Sequence, residues 1–296
     1  MNILTVDQLS KSYGRIQALK DLTFEVKSGQ AFGILGPNGS GKTTTLGIIL
    51  SILKQDAGKF EWFEGQYGVN PRLHIGSILE TPNFYPYLNA VENLEIVRHI
   101  KKSSEKNFDD ILDMVELSQR KYSPFYTYSL GMKQRLAIAA TMVGNPDVLI
   151  FDEPTNGLDP QGIADVRNML KMIAQSGKTV IMASHILDEV EKICSHVAIM
   201  KKGHLMAIGP VGSILSNDIV MELSCTNNTS LMEFLKTQEL IKSTEMKSGF
   251  IECIADPSAD IAVFSERLFQ KGFILLHMVV RKQKLEEEFL QIIKES

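Results

Sequence analysis

A glycine-rich segment carries the clearest chemistry in the sequence. Residues 36–43 read GPNGSGKT, and glycines let successive backbone N–H groups turn inward around phosphate oxygens. At this spacing the lysine ammonium group reaches the outer phosphates, and the threonine hydroxyl binds Mg²⁺. A helix that begins after the loop directs the positive end of its dipole at the same anion. We predict a phosphate-binding site formed by Gly36, Pro37, Asn38, Gly39, Ser40, Gly41, Lys42, Thr43 and Thr44.

Two adjacent carboxylates supply a Mg²⁺ ligand and a group that can activate water, which a phosphate-binding site needs for hydrolysis. Residues 149–154 read LIFDEP, which places Asp152 and Glu153 at the end of an apolar strand. The first is positioned to hold Mg²⁺ through water, and the second to orient or deprotonate an attacking water. An acidic pair after a strand can also be a helix cap or a solvated turn. The glycine-rich loop upstream favours the catalytic interpretation.

Strands that alternate with helices must position these residues. Short apolar runs predict strands, and stretches with helical spacing lie between them. This alternation is typical of an α/β protein with a mostly parallel sheet covered on both faces. Residues 83–145 interrupt it with aromatic side chains, more charge and helical spacing, which indicates an inserted helical subdomain. We predict strands at 4–9, 22–26, 31–35, 147–153, 179–184 and 196–200, and helices from the loop to residue 53 and at 90–101, 108–117, 162–175 and 186–194.

A smaller second unit is predicted after the first domain, with bounds of 1–215 and 216–296. Its elements follow the order β-α-β-α-β-α, which indicates a small α+β appendage. The first of its helices is predicted to begin with a capping box between Ser230 and Glu233, and the last to span residues 284–294. The appendage can be regulatory, stabilise a dimer or be a packing extension, and the sequence leaves these three open.

Composition excludes several classes of protein. The 296 residues are 44% hydrophobic and 22% charged, which is typical of a globular chain. A net charge of -4 without a basic block argues against binding nucleic acid by charge. The isolated Cys194, Cys225 and Cys253 indicate neither a zinc site nor disulfides, and they fit a reducing compartment.

No apolar run approaches the ~18 residues of a membrane-spanning helix, and the N-terminus lacks a signal-peptide pattern. We expect a cytoplasmic chain without direct membrane insertion.

Further motifs resemble those of the ATP-binding-cassette (ABC) ATPases, the motor subunits of ABC transporters. YSLGMKQR at 128–135 resembles the family's signature loop, and LDP at 158–160 its dimer-contact loop. SH at 184–185 resembles its switch histidine, and SKSYG at 10–14 holds a tyrosine where the family stacks an aromatic ring on adenine. The resemblance covers residues 4–210. It implies a P-loop NTPase fold with ATP and Mg²⁺ as ligands.

The same resemblance implies roles for individual residues. Two subunits would pair head to tail around two ATP molecules, so that Ser129 and Gly131 face the γ-phosphate held by the other subunit. An anion at a helix N-terminus, supplied here in trans, is physically reasonable. Asp159 would link the two sites, His185 would contact the γ-phosphate, and Tyr13 would stack on adenine.

Two departures from the family pattern distinguish this sequence. Glu80 stands where the lid loop usually has glutamine, so it is a candidate Mg²⁺ or water contact by resemblance alone. Leu130 and Met132 replace the usual glycine and glutamine of the signature, although Ser129 and Gly131 remain. These departures, together with residues 79–94, resemble the bacterial subfamily of small two-component exporters, which includes bacitracin and lantibiotic self-protection systems.

The resemblance therefore implies an ATP-hydrolysing exporter subunit for a drug, a peptide antibiotic or a similar substrate. It would bind a polytopic membrane permease at the inner face of the membrane and pair with itself or a sister ATPase. One alternative is a soluble ABC ATPase acting on nucleic acid or ribosomes. Three features disfavour this alternative: a short interval separates the glycine-rich loop from the signature, the sequence contains a single cassette, and the net charge is negative. A scaffold that binds ATP without hydrolysis is a second alternative, which Glu153 disfavours.

Aromatic residues concentrate in the helical insertion. The resemblance implies that a membrane partner docks here, and tyrosine suits docking because it offers a large rigid surface with a polar tip. The same rings can instead form the subdomain's own core, and the sequence does not decide between the two. Our hypothesis is that Phe84 and Tyr85 line a docking groove. The cluster contains five of the seven tyrosines and two phenylalanines: Tyr85, Tyr87, Tyr122, Tyr126, Tyr128, Phe84 and Phe125.

Overall fold

The chain divides into two compact units, Met1–Ile214 and Leu215–Ser296. The computed structural model describes residues 1–68, 70–79, 83–214 and 218–282. The helix predicted over residues 284–294 lies outside the described residues. Within them, every helix is too short or too polar to cross a membrane.

The first unit combines two sheets with flanking helices. Its elements in chain order are β1 (Asn2–Tyr13), β2 (Ile16–Lys27), β3 (Ala31–Leu35), α1 (Lys42–Ile49), β4 (Ala57–Trp62), β5 (Ile75–Ile78), α2 (Ala90–Lys101), α3 (Asp109–Met114), α4 (Leu130–Met142), β6 (Val148–Asp152), α5 (Pro160–Gln175), β7 (Thr179–Ser184), α6 (Leu187–Ile193), β8 (His196–Lys201), β9 (His204–Pro210) and α7 (Val211–Ile214).

The larger sheet brings the ends of its central strands together. Its six strands follow the order β5-β6-β7-β3-β8-β9, and all neighbours are parallel except β8 and β9. Every side chain of β3, β6 and β7 is buried, as expected for strands covered on both faces. The predicted mostly parallel sheet is confirmed. The carboxyl ends of β3, β6 and β7 meet at one edge, where ligands of such sheets bind.

A smaller antiparallel sheet packs against the larger one. Its order is β2-β1-β4, and one apolar cluster joins Leu4 and Val6 of β1 to Ile34 of β3. The rings of Phe24 and Phe32 stack across the two sheets with centroids 5.5 Å apart. This packing fixes β1, whose last residue is Tyr13, relative to the strand that leads into the glycine-rich loop.

The helical region between β5 and β6 contains α2, α3 and α4. Asn89 and Glu92 form a capping box at the start of α2, in which each side chain accepts a hydrogen bond from the other residue's backbone N–H. The Tyr128 hydroxyl donates to the carbonyl of Arg120 at 2.7 Å, and burial raises the pKa of this phenol. The loop before α4 is therefore fixed to the rest of the helical region.

The second unit is a four-stranded antiparallel sheet in the order β11-β12-β10-β13. Within residues 218–282 its elements, which include two helices, follow the order β-α-β-β-α-β, a split β-α-β arrangement. One apolar cluster, which includes Leu231 and Leu235 of the first helix and Phe264 and Leu268 of the second, packs the helices on the sheet. The elements are β10 (Ile219–Cys225), α8 (Asn228–Lys236), β11 (Ile241–Met246), β12 (Ile251–Ala255), α9 (Ile261–Gln270) and β13 (Leu275–Lys282).

Two sequence predictions for this unit are wrong in detail. The predicted order lacked β11, whose sequence IKSTEM is polar and mostly exposed because it forms one edge of the sheet, where charged residues are common. The capping box at Ser230 is absent: helix α8 begins earlier, and the Asn227 side chain accepts from the backbone N–H of Ser230 at 3.2 Å. Asparagine is as effective a cap as serine.

Candidate active site

The glycine-rich loop follows β3 directly and leads into α1. A Cβ on Gly36 would lie 2.3 Å from the carbonyl oxygen of Met200, and one on Gly41 would lie 2.6 Å from that of Ala18. Gly41 also has a φ of 107°, which side chains rarely tolerate. The loop can therefore follow this path only with glycine at both positions.

Lys42 is folded back into the loop. Its side chain is 5% exposed, and Nζ donates to the carbonyls of Gly36 at 2.8 Å and Pro37 at 3.3 Å. The ammonium group thus lies at the centre of the loop's curve. A phosphate bound there would meet both a positive charge and the N-terminus of α1.

Glu153 lies between Lys42 and His185. Its Oε1 is 3.3 Å from Lys42 Nζ, and its Oε2 is 2.8 Å from His185 Nδ1. A carboxylate only accepts hydrogen bonds, so Nδ1 carries the proton in this contact. Glu153 has a φ of 47°, and its N–H donates to the carbonyl of Ala183 at 2.9 Å. The structure brings together three residues that are far apart in the sequence.

A cavity of about 450 Å³ opens beside this triad. Tyr13 lies in its wall, half exposed, with Lys11 Nζ 5.6 Å from the ring centroid. Sequence reasoning missed Lys202, which lies in the turn between β8 and β9. The neighbouring Gly203 is the sequence signal for this turn, and its N–H donates to the carbonyl of Ser40 in the phosphate loop at 2.9 Å. The cavity is lined by Tyr13, Ile16, Gln17, Ala18, Asn38, Gly39, Gly41, Lys42, Thr43, Thr44, Glu153 and Lys202.

The candidate metal ligands fit Mg²⁺ by their chemistry. Thr43 offers an exposed hydroxyl at the start of α1 and Asp152 a buried carboxylate at the end of β6, and Mg²⁺ prefers oxygen ligands. The described residues contain no group of three His, Cys, Asp or Glu side chains that would hold a metal alone. Glu80, the third candidate, lies outside the described residues.

Ser129 and Asp159 line a second cavity, of about 390 Å³, together with Gly131. Each caps a helix: Ser129 Oγ accepts from Met132 N at 3.3 Å, and Asp159 Oδ1 accepts from Gly162 N at 2.8 Å. Leu130, one of the departures from the signature, is the first residue of α4 and is half exposed in the same cavity. The two cavities share no lining residue.

The aromatic cluster divides into a buried and an exposed part. Phe125 and Tyr128 belong to the core, whereas Tyr85, Tyr87, Tyr122 and Tyr126 are exposed. The core interpretation therefore holds for Phe125 and Tyr128, and docking stays a prediction for the exposed tyrosines.

A third cavity of about 290 Å³ lies beside the half-buried Phe84, whose ring contacts Phe125 with centroids 5.3 Å apart. Tyr85 is not among its lining residues. The side chain of Lys101, whose pKa is lowered by burial, also lines it. The lining residues are Ser77, Ile78, Leu79, Asn83, Phe84, Val97, Lys101, Ala137 and Ala140.

A loop that can cradle phosphates and a carboxylate beside it define a nucleotide-hydrolysing protein. The family model of ABC transporters matches residues 19–156. The uncharacterized ABC transporter ATP-binding protein YhcH of Bacillus subtilis (strain 168) is 38% identical over 302 residues, which cover 99% of this chain and 97% of that relative. The bacitracin transport ATP-binding protein BcrA of Bacillus licheniformis is 32% identical over 297 residues, covering 98% and 97%.

A solved structure has the same fold and belongs to the same family of proteins as these relatives. A dimeric ATP-binding cassette in a post-hydrolysis state, bound to ADP and Pi, superposes with a TM-score of 0.63 at 26% identity, covering 70% of this chain and 98% of that one. The present chain belongs to the ABC transporter family as an ATP-binding protein that hydrolyses ATP.

Proposed function

We propose that this chain drives an exporter and that Lys42, Glu153 and His185 carry out its ATP chemistry. The observation that supports the ATP chemistry is the position of Glu153, which contacts both other residues beside the phosphate-loop cavity. Lys42 and the loop N–H groups would bind the β- and γ-phosphates. Because these phosphates attract the same ammonium group, their arrival frees the Glu153 carboxylate.

The freed carboxylate then has a direct chemical role. Glu153 accepts a proton from water as the water oxygen bonds to the γ-phosphorus, and the bond from that phosphorus to the bridging oxygen of ADP breaks. Once ATP is bound, the His185 Nδ1–H would turn from Glu153 and donate a hydrogen bond to a γ-phosphate oxygen. ADP and inorganic phosphate are released, and Glu153 returns its proton to solvent. Thr43 and Asp152 would hold Mg²⁺, which neutralises charge on the phosphate oxygens when it is bound.

We further propose that two such subunits, either two copies of this chain or this chain and a sister ATPase, enclose two ATP molecules. Ser129 and Gly131 lie in a cavity separate from the phosphate loop of their own chain. A Cβ on Gly131 would meet nothing within 4 Å, so the chain's own packing does not require glycine here. Close approach of a nucleotide held by the second subunit does require it, and Asp159 in the same cavity would link the two sites.

The cavity beside Phe84 is proposed as the docking site for a polytopic membrane permease. It combines apolar side chains with Ser77, Asn83 and Lys101, a mixture that suits a protein interface. The bacitracin transport relative supports an exported antibiotic or similar compound as the substrate. Docking would hold the chain at the inner face of the cell membrane.

Replacing Phe84 with alanine is expected to reduce substrate export at least threefold, because the docking surface loses its aromatic anchor and a hot-spot residue contributes ~2 kcal/mol or more to binding. ATP affinity should stay within twofold of the wild type. The measurement pairs export by cells with equilibrium ATP binding by the purified chain. Tyr122→Ala is the control, because Tyr122 is exposed and does not line the cavity. Loss of ATP affinity along with export would instead place Phe84 in the subdomain's core.

Purification from the native cell tests the transporter assignment. The tagged chain is isolated from gently solubilised membranes, and its partners are identified by mass spectrometry. A polytopic membrane protein in stoichiometric amount supports the exporter. Ribosomes or DNA in its place would favour the soluble alternative and leave only the ATP chemistry intact.

A further inference from the structure

Glu189 is a buried carboxylate that the proposed chemistry does not use. It lies in α6 with none of its surface exposed, and no ion pair reaches it from the described residues. Two hydroxyl groups contact it instead: Thr155 Oγ1 donates to Oε1, and Ser184 Oγ donates to Oε2 at 3.1 Å. Both oxygens are thus occupied. A buried carboxylate without a cation is costly for the fold, which makes a purely stabilising role a poor explanation.

The two hydroxyl groups belong to the turns that carry Glu153 and His185. Thr155 follows Glu153 in the turn after β6, where Asn156 N–H donates to Glu153 O at 3.1 Å. Ser184 immediately precedes His185, and its Oγ accepts from Ile186 N–H at 3.0 Å. One carboxylate therefore anchors both turns.

This anchoring acts on a site whose geometry needs support. Glu153 is held in a left-handed backbone conformation with a φ of 47°, which is strained for a residue with a side chain. Its contact with His185 Nδ1 is 2.8 Å long. Ser184 also connects to the phosphate loop, because its carbonyl accepts from Gly36 N–H at 3.3 Å. Hydrogen bonds and short stretches of backbone thus connect Glu189 to Glu153, to His185 and to the phosphate loop.

We propose that Glu189 is a positioning residue for ATP hydrolysis, which fixes the Glu153 and His185 turns at their working separation through the Thr155 and Ser184 hydroxyls. This inference rests on the proposed roles of Glu153 and His185. Small displacements of a catalytic group reduce the rate far more than they reduce substrate binding. Loss of the anchor should therefore lower kcat and leave ATP affinity intact.

The first test removes one hydroxyl without changing side-chain volume. Thr155→Val in the full-length chain should lower kcat for ATP about tenfold and keep ATP affinity within twofold. Thr155→Ser, which restores the donor, should recover most of the rate. Thr141→Val is the matched control, since Thr141 is equally buried and donates only to Ile138 O within its own helix. It should keep the wild-type rate, and the two thermal unfolding midpoints show how much stability each substitution removes.

Coupling between the residues separates positioning from general destabilisation. Glu189→Gln should also lower kcat, and the variant that combines it with Thr155→Val should lose no more than the more severe single variant, since both substitutions act on the same contact between Glu189 and Thr155. An unchanged kcat in Thr155→Val overturns the inference. So does a rate loss that the Thr141→Val control reproduces, or one accompanied by equal loss of ATP affinity.

Glu153→Gln distinguishes failure of this inference from failure of the proposed function. If Glu153→Gln abolishes hydrolysis and Thr155→Val hydrolyses at the wild-type rate, only the positioning role is wrong. If Glu153→Gln itself hydrolyses at the wild-type rate, the proposed role of Glu153 is wrong and the positioning role is lost with it. In the Glu153→Gln background, Thr155→Val should leave the residual rate unchanged.

Discussion

Glu153→Gln is expected to bind ATP but to lose most of its hydrolysis, with kcat falling about 10²–10⁴-fold, the usual contribution of a general base. Glutamine has nearly the same shape as glutamate, but its amide cannot take a proton from water. The substitution also removes the negative charge 3.3 Å from Lys42 Nζ. The ammonium group is then freer to meet phosphate, so ATP affinity should hold or rise.

This variant should also accumulate as an ATP-dependent dimer, because hydrolysis is the step that would separate the subunits. The measurements are steady-state ATPase rate, equilibrium ATP binding and sedimentation with and without ATP–Mg²⁺. Glu25→Gln is the matched control, since Glu25 is exposed in β2 and its carboxylate accepts a hydrogen bond from Asn2, far from the phosphate loop in sequence. Hydrolysis by Glu153→Gln at the wild-type rate would show that another group accepts the proton.

The phosphate loop and the parallel sheet could be predicted from sequence because their signals are local. The loop needs glycine at fixed positions, and a Cβ at Gly36 or Gly41 would indeed collide with backbone. Strands β3, β6 and β7 are buried throughout and so appear as continuous apolar runs. The exact contact of Glu153 with Lys42 and His185 depends on sheet order, which local patterns do not contain.

The features that sequence reasoning missed arise from contacts between distant segments. Glu189 looks like one more acidic residue in a polar helix, and only the structure shows it buried against Thr155 and Ser184. Strand β11 is polar because it pairs on one side only, so apolar periodicity does not reveal it. The sequence prediction placed the helix cap at Ser230, whereas Asn227 caps the helix in the structure. Both residue types are good caps, so the sequence pattern does not choose between them. Glu80 stays a prediction.

Lys42→Ala is expected to weaken ATP binding itself, in contrast to Glu153→Gln. Hydrogen bonds to charged groups contribute about 1.5–3 kcal/mol, which corresponds to roughly a 10- to 150-fold rise in the dissociation constant. The substitution also removes the donor that joins the carbonyls of Gly36 and Pro37, so the loop loses part of its internal support. Equilibrium binding of ATP to the purified chain measures the effect.

Lys59→Ala is the control for the removal of a positive charge. Lys59 is 81% exposed and its only ion pair among the described residues is a 3.8 Å contact with Asp7, so ATP affinity should not change. Wild-type ATP affinity in Lys42→Ala would contradict the binding role. If that variant also failed to hydrolyse ATP, the lysine would act only as charge develops in the transition state. Weak binding by Lys42→Ala, together with retained binding and lost hydrolysis in Glu153→Gln, would assign nucleotide affinity to the loop and proton transfer to the end of β6.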